Sequence, residues 1–108
     1  MTKEVHCKGV LRLNVSHADN QLMAFLNGIV VYNKRTEQDP VLTDTIELTN
    51  QLQEARNSLV LVGADWGGRA VYKGSITNGD DVIPFDYYRE GTTTSEGMCW
   101  NTALNIVV

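Results

Sequence analysis

Residues 58–76 read SLVLVGADWGGRAVYKGSI, which is two apolar runs separated by a polar turn. The first run, Ser58 to Gly63, is apolar at nearly every position and predicts a central strand buried on both faces. The second run, residues 70–76, alternates between two faces and predicts another strand. The turn between them, Ala64 to Arg69, contains two glycines, which allow backbone angles that other residues resist. This stretch indicates consecutive strands of a β protein.

The rest of the chain continues the strand pattern. Val5 to Val15 alternates with a period of two residues, and Asn27-Gly28 between apolar runs predicts a tight hairpin, because both residues accept positive φ. Thr49 to Asn57 predicts a single helical turn held by Leu52. Further strands are predicted at residues 43–48, at residues 81–87, where Pro84 indicates an edge or a bulge, and at residues 98–108. The pattern predicts an all-β domain spanning residues 1–108, an antiparallel β-sandwich or closed barrel of about eight strands with one short helical turn.

Composition and charge argue against several classes of partner. The chain has 108 residues, 43% of them hydrophobic and 20% charged, and a formal net charge of −4. Its basic residues are scattered, and the one basic pair, Lys34-Arg35, is interpreted as part of a solvated loop, so no nucleic-acid partner is expected. No apolar run approaches the roughly 20 residues that cross a bilayer, and Met1 to Gly9 lacks a signal-peptide core. We expect a soluble chain without membrane insertion, in a compartment that these features leave open.

Two cysteines and one acidic turn bear on bridges and metals. Cys7 and Cys99 are either free buried thiols or one bridge between the first and last strands, and the missing export signal favours free thiols. The chain has no paired Cys and His spacing of the kind that zinc sites use. Asp80-Asp81 with Asn78 offers oxygen ligands for calcium, but acidic residues in turns normally cap the backbone. We expect no cofactor, with calcium as the alternative.

The connections between strands fall into two groups. Short connections make consecutive strands antiparallel, so successive loops should alternate between the two ends of the domain. One end then collects residues 16–20, 33–41, 65–69 and 88–97, two of which are long, and long loops often carry function. We expect the functional site there. Its polar and aromatic residues are His17, Asp19, Asn20, Asp65, Trp66, Arg69, Tyr88 and Arg89.

The Trp66 turn has the chemistry of a sugar site. A sugar ring has apolar C–H faces that suit an aromatic plane, and hydroxyl edges that suit carboxylate and guanidinium groups such as those of Asp65 and Arg69. Asp19, Asn20 and Arg89 would complete the site. The alternative is that Trp66 closes one end of the core and that Asp65 stabilises the turn. A second alternative site is a sheet face formed by outward-facing side chains, namely Arg12, Tyr32, Tyr72 and Lys73.

Catalytic motifs are weak. His17 with Asp65 or Asp19 could form an acid–base pair, but no motif fixes their spacing, and a surface histidine explains the residue as well. Ser16 and Ser95 lack the Gly-x-Ser-x-Gly context of a nucleophile elbow. We therefore expect a protein that is not an enzyme.

The order of features over about Leu13 to Ile76 resembles the galactose-binding-domain-like jelly rolls, a family of carbohydrate-binding modules. The matching elements are Ala18-Asp19-Asn20, Leu26-Asn27-Gly28, Ile46-Glu47-Leu48-Thr49 with Leu52, and Asn57 to Val62. Ala55 stands where the family usually has glycine, and the chain is shorter than typical members. The resemblance implies two antiparallel sheets that bind a sugar through loops at one end, without catalysis. Asn27 and Gly28 would form the family's hairpin, and Asp19 would be its loop carboxylate.

Two functions remain for the chain. The first is a lectin-like domain that binds a carbohydrate or glycoconjugate through Asp19, Asn20, Asp65, Trp66, Arg69 and Arg89. A single shallow sugar site would bind weakly, so we expect a homo-oligomer that presents several sites. The second is a protein-interaction or oligomerisation module whose Trp66 and Trp100 fill an interface.

Overall fold

Eight β-strands and one 3₁₀ turn form the regular structure of the chain, which a computed structural model describes at residues 3–91 and 96–108. The strands are β1 (Lys3–His6), β2 (Leu11–Leu26), β3 (Ile29–Thr36), β4 (Asp44–Glu47), β5 (Arg56–Asp65), β6 (Ala70–Asn78), β7 (Asp81–Arg89) and β8 (Gly97–Val107), and the 3₁₀ turn is Thr49–Gln51. The all-β prediction is confirmed, as is the single helical turn before Leu52. No helix in the described residues is long and apolar enough to cross a membrane.

The strands form one continuous mixed sheet that curls into a half-barrel. Its order is β1-β8-β5-β2-β6-β7, while β3 and β4 pair with the opposite edge of β2. β1 runs parallel to β8, and the other pairs are antiparallel. The two separate layers of a jelly roll are therefore not confirmed. β7 ends the sheet, so the edge position predicted from Pro84 is confirmed.

The long strand β2 belongs to both parts of this curled sheet. Its residues 11–19 pair with β6 on one edge, and residues 12–15 pair with β4 on the other. Its residues 21–26 pair with β5, and residues 19–26 with β3. We call β4, the first half of β2, β6 and β7 the first arm, and β3, the second half of β2, β5, β8 and β1 the second arm. The change of partners puts the bend of the sheet at the middle of β2.

The turn predicted at residues 16–20 is wrong, because β2 continues through it. The turn-forming residues instead occupy irregularities of the strand: the pairing with β6 shifts between Val15 and His17, and Asp19 and Asn20 both lie opposite Thr36. Such bulges bend a strand without ending it. A residue that favours turns also suits a bulge, which explains the error.

Other strand boundaries also differ from the prediction. The single strand expected from Val5 to Val15 is two strands, because residues 7–10 cross from β8 toward β6. The buried Asn78 side chain holds this crossing: its Oδ1 accepts a hydrogen bond from Lys8 N–H, and its Nδ2 donates one to the His6 carbonyl. Lys34-Arg35, expected in a loop, lies in β3. β5 is buried on one face only, since Val60 and Val62 are partly exposed. The Asn27-Gly28 hairpin is confirmed, with φ of 52° and 81°.

The core lies on the concave side of the sheet and joins the two arms. Leu13 of the first arm and Leu22 and Leu61 of the second are almost fully buried there. Four aromatic rings stack within it: Trp100 lies 5.7–6.1 Å from Tyr72, Phe85 and Tyr87. Tyr72 is fully buried and Tyr32 is 8% exposed, so their predicted outward orientation is wrong, and with it the sheet-face site that needed them.

Candidate functional site

Three segments meet at the bend of the sheet and line a cavity of about 360 Å³ that is open to solvent. They are the middle of β2, the β3–β4 connection after Thr36, and the β5–β6 turn after Asp65. The cavity is lined by residues that combine an indole with two carboxylates, two guanidinium groups and two side-chain amides: Asp19, Asn20, Arg35, Glu37, Gln38, Trp66 and Arg69, with Gly67 and Gly68. This is the end of the domain at which we expected a site.

The start of the β5–β6 turn is fixed by one hydrogen bond to β2 and by one within the turn itself. Trp66 N–H donates to Asn20 Oδ1 at 2.8 Å, and Gly67 N–H donates to Asp65 Oδ1 at 2.9 Å. Gly67 and Gly68 have φ of 125° and 76°, angles that favour glycine because they are strained for other residues. The local sequence thus explains why Trp66 projects at this position.

The Trp66 indole is 42% exposed and held from two sides. Its Nε1–H donates to Gln21 Oε1 at 2.9 Å, and the Arg35 guanidinium lies 5.5 Å from the ring centre in a cation–π contact. The alternative that Trp66 closes the core is therefore wrong. The ring is an oriented aromatic surface at the wall of the cavity.

Asp65 and Arg89 lie behind the cavity and support it. Asp65 is fully buried, and its Oδ2 accepts a hydrogen bond from Arg89 at 2.7 Å, which raises the pKa of the guanidinium. The Nε of Arg89 is buried without a hydrogen-bond partner among the described residues. Since neither side chain lines the cavity, the pair positions the Trp66 turn from within the fold.

Asp19 is the buried carboxylate of the cavity wall. It is 4% exposed, and loss of hydration raises its pKa, with the neighbouring charge of Asp39 acting in the same direction. Arg69 and a hydrogen bond from the Asp39 backbone oppose that rise. Its Oδ1 also accepts from Asn20 Nδ2 at 2.8 Å. Asp19 was predicted in a loop but lies in β2, where the pairing of the strand fixes the direction of its side chain.

The β3–β4 connection is held against the bend by a His–Asp pair. His17 Nδ1 lies 2.9 Å from Asp39 Oδ1, and Arg69 lies 3.9 Å from Asp39 Oδ2. The His17 pair proposed with Asp65 or Asp19 is thus replaced by a pair with Asp39. Gln38 and Asp39 both have positive φ, of 65° and 48°. Strained backbone of this kind is common at functional sites.

The structure brings together four of the six predicted ligand-binding residues at the cavity, and the other two, Asp65 and Arg89, form the pair behind it. Three further lining residues, Arg35, Glu37 and Gln38, were missed. The sequence placed residues 33–41 at this end but gave no reason to prefer one side chain over another. The Asp39-Pro40 dipeptide in this stretch favours a turn, but it does not report the backbone angles that bring Gln38 to the cavity. Residues 92–95 of the predicted loop at residues 88–97 lie outside the described residues.

A second cavity, of about 400 Å³, lies between β1 and β7 and is less suited to a ligand. Its Lys8 and Asp81 form an ion pair at 2.6 Å, and Asn78 is committed to backbone groups. Among residues 3–91 and 96–108 no group of three or more His, Cys, Asp or Glu side chains is arranged to hold a metal ion.

Cys7 and Cys99 are both free thiols. Cys99 Sγ instead lies 3.4 Å from the buried hydroxyl of Tyr72, whose pKa is raised, first by burial and then by this hydrogen bond. The two thiols therefore belong to the packing of the strands and do not join the first strand to the last.

Comparison of the chain with protein-family models, with curated proteins and with solved structures found no match.

Proposed function

We propose that the cavity at the bend of the sheet binds a carbohydrate or glycoconjugate without catalysis. The observation that carries this proposal is the partly exposed Trp66 indole beside the buried Asp19 carboxylate in one cavity of about 360 Å³. The indole offers a flat apolar surface to the C–H face of a sugar ring. Asp19, Asn20 and Arg69 offer acceptors and donors to its hydroxyl groups.

The charges of the cavity favour a neutral ligand. Arg35 and Arg69 carry two positive charges, and Asp19 and Glu37 carry two negative ones. Because the formal charges of the lining cancel, the lining has no net charge that would select an anion or a cation. A polyhydroxyl ring can use all four groups as hydrogen-bond partners.

The support around the site reduces the cost of binding. Gln21 and Arg35 already hold the indole, and Asn20 holds the start of its turn. A ligand therefore needs to order few side chains, which is the usual benefit of a preformed site. The site is nevertheless small, so we expect weak binding by a single copy.

The finer fold assignment belongs to the same proposal. We propose that the first and second arms correspond to the two layers of the galactose-binding-domain-like jelly rolls, whose ligand end is formed by loops between the layers. The Asn27-Gly28 hairpin and the buried Asn57 near the start of β5 support this assignment. We also propose that the chain does not insert into a membrane and does not bind a nucleic acid.

A glycan screen followed by titration tests the proposal. We expect binding to at least one neutral sugar, and Trp66→Ala should reduce the affinity by about tenfold or more, because the stacking surface is lost. Tyr88→Ala is the matched control, since Tyr88 is an exposed aromatic residue outside the cavity lining. Far-ultraviolet circular dichroism checks that both variants fold.

Failure to bind any glycan would overturn the proposal, and so would a Trp66→Ala variant that binds as tightly as the parent chain.

The position of Trp100 counts against the alternative function, a protein-interaction module whose two tryptophans fill an interface. Trp100 stacks in the core against three aromatic rings, so only Trp66 of the two tryptophans is available to a partner.

A further inference from the structure

The chain contains the dipeptide Asn-Gly twice, at Asn27-Gly28 and at Asn78-Gly79. Asparagine is thermolabile, and it loses its side-chain amide most readily before glycine, because glycine has no side chain to hinder attack by its own backbone nitrogen. Each dipeptide lies at the turn of a hairpin, the first between β2 and β3 and the second between β6 and β7. The local sequence therefore gives the two turns a similar intrinsic reactivity, and the fold decides between them.

The Asn78-Gly79 turn is packed and hydrogen-bonded. The Asn78 side chain is 2% exposed, and its amide is bound to backbone groups of Lys8 and His6. The Gly79 N–H, whose nitrogen would be the attacking atom, donates to the Val10 carbonyl at 3.0 Å. A Cβ atom at Gly79 would lie 3.3 Å from Lys8, so this turn has little room to change shape.

The Asn27-Gly28 turn is open around its glycine. Gly28 is exposed, and a Cβ atom there would meet nothing within 4 Å. Its N–H donates no hydrogen bond to residues 3–91 or 96–108. An exposed turn opens locally at a small cost in free energy, whereas a buried segment opens only with much of the fold. The nitrogen of Gly28 can therefore reach the Asn27 side chain without unfolding of the domain.

The Asn27 amide is also bound in a way that supports attack on it. Ser58 N–H donates to Asn27 Oδ1 at 2.9 Å. Negative charge develops on this oxygen when a nucleophile adds to the amide carbon, and a backbone N–H aimed at the oxygen stabilises that charge. Asn78 Oδ1 has a similar donor in Lys8 N–H. The access of the glycine nitrogen is therefore what distinguishes the two turns.

We propose that Asn27 is a site of spontaneous deamidation in the folded chain and that the fold protects Asn78. The backbone nitrogen of Gly28 forms a bond to Cγ of Asn27 and gives up its proton. The bond from Cγ to Nδ2 then breaks, and ammonia leaves with that proton. Solvent water opens the resulting cyclic imide at either of its carbonyl carbons, so that residue 27 becomes aspartate or isoaspartate without any oxidant or reductant.

This reaction would remove a contact that holds the β2–β3 hairpin to β5. Asn27 Nδ2 donates to Asn57 Oδ1 at 2.9 Å, and the Nδ2 of the buried Asn57 donates to the carbonyls of Gln53 and Ile106. A carboxylate at position 27 has no proton to donate, so it would place an oxygen against the Asn57 oxygen. Asn57 cannot reverse its amide without losing its own hydrogen bonds. The tip of the hairpin should therefore separate from β5.

Incubation of the full chain in mildly alkaline buffer, followed by tryptic digestion and mass spectrometry, tests this inference. Cleavage after Lys and Arg places the two dipeptides in different peptides, residues 13–34 and 74–89. Exchange of ammonia for water raises the mass of a peptide, and fragmentation assigns the change to one residue. We expect residue 27 to convert at least about tenfold faster than residue 78. In concentrated urea the two rates should agree within about a factor of two, because the fold no longer separates them.

Equal rates at the two residues in the folded chain would overturn the inference. So would a folded chain in which residue 27 keeps its amide under conditions where it is lost in urea. The sugar proposal is tested separately by Trp66→Ala, because neither Asn27 nor Gly28 lines the cavity.

Asn27→Asp tests the effect on the hairpin. It should lower the melting temperature by about 5 °C, because two acceptor oxygens replace a hydrogen bond. Asn50→Asp is the matched control, since Asn50 is exposed in the 3₁₀ turn and its replacement should change the melting temperature by about 2 °C or less. If the two variants melted at the same temperature, the Asn27–Asn57 contact would not hold the hairpin to β5, and this part of the inference would be wrong.

Discussion

The two halves of β2 bury the same kind of residue but differ on their convex side. Leu11 and Leu13 in the first half and Leu22 in the second are fully buried against the core. On the convex side the first half carries Arg12 and Asn14, whereas the second half carries Met23 and Phe25. The apolar side chains on the concave side form the core, which the fold requires. The two arms therefore share a core but differ in the polarity of the surface that they turn away from it.

The convex side of the first arm is satisfied within the chain. Asn14 Nδ2 donates to Ser75 Oγ at 3.2 Å and to Thr77 Oγ1 at 3.3 Å, and Thr45 Oγ1 donates to Asn14 Oδ1 at 3.2 Å. Neighbouring side chains and water are enough for this surface. On the convex side of the second arm, Met23 and Phe25 have apolar side chains, which form no such hydrogen-bond network and keep part of their surface exposed.

The largest expected effect concerns the pair that joins the two arms behind the cavity. Arg89→Met should lower the melting temperature by about 15 °C or more, because it removes the cation that pairs with the fully buried Asp65 carboxylate. Lys73→Met is the control. Its partner Asp86 is 3.9 Å away and exposed, so the melting temperature should change by only about 2 °C. If the two variants lowered the melting temperature equally, the claim that the buried Asp65–Arg89 pair holds the arms together would be contradicted.

The next effect concerns the close approach of the arms in the core. A Cβ atom at Gly63 of the second arm would lie 2.3 Å from the ring of Tyr72 in the first, so Gly63→Ala should cost about 3 kcal/mol in the free energy of unfolding. Gly9→Ala is the matched control, because its Cβ would meet its nearest atom at an ordinary 3.4 Å. Urea unfolding measures both. If Gly63→Ala were as stable as Gly9→Ala, the arms would not pack as closely as described.

The sequence predicted the strands better than it predicted the bend. Period-two alternation and the Asn27-Gly28 dipeptide are local signals, and they lead to the strands and the hairpin, although the alternating stretch from Val5 to Val15 is divided between β1 and β2. The continuation of β2 through residues 16–20 depends on pairing with β3 and β6, and no residue inside the stretch reports that pairing. The same residue types that end strands also form bulges, so local preference could not separate a loop from a bend.

The sequence argument grouped Asp19, Trp66 and Arg69 at one end of the domain, and the structure places these three residues around one cavity. It grouped Asp19 there as part of a loop at residues 16–20, however, and that segment is the middle of β2. The burial of Asp65 with Arg89 could not be seen, because the two residues are 24 positions apart and their pairing depends on packing. The inward orientation of Tyr72 was missed for a related reason: alternation defines two faces of a strand, but not which one meets the core.

The smallest expected effect concerns Asp19 at the bend, where stability and binding should oppose each other. Its pKa is raised by burial, so the folded state holds a proton that the unfolded state has already lost at intermediate pH. Stability contributed by this group is therefore present at low pH and is lost as pH rises through the range between the unfolded and folded pKa values. Asp19→Asn removes this loss, so at neutral pH the variant should melt a few degrees above the parent chain and bind sugar more weakly.

Thermal unfolding at acidic and at neutral pH checks this prediction for Asp19→Asn. The advantage of the variant over the parent should grow as the pH rises and level off once Asp19 is ionised in the folded state. Asp86→Asn is the control, because Asp86 is exposed in the first arm and its replacement should give no comparable change with pH. A variant that is less stable than the parent at neutral pH would mean that the Asp19 carboxylate supports the fold. In that case the Asp19 carboxylate would not lower the stability of the fold in order to be available to a ligand.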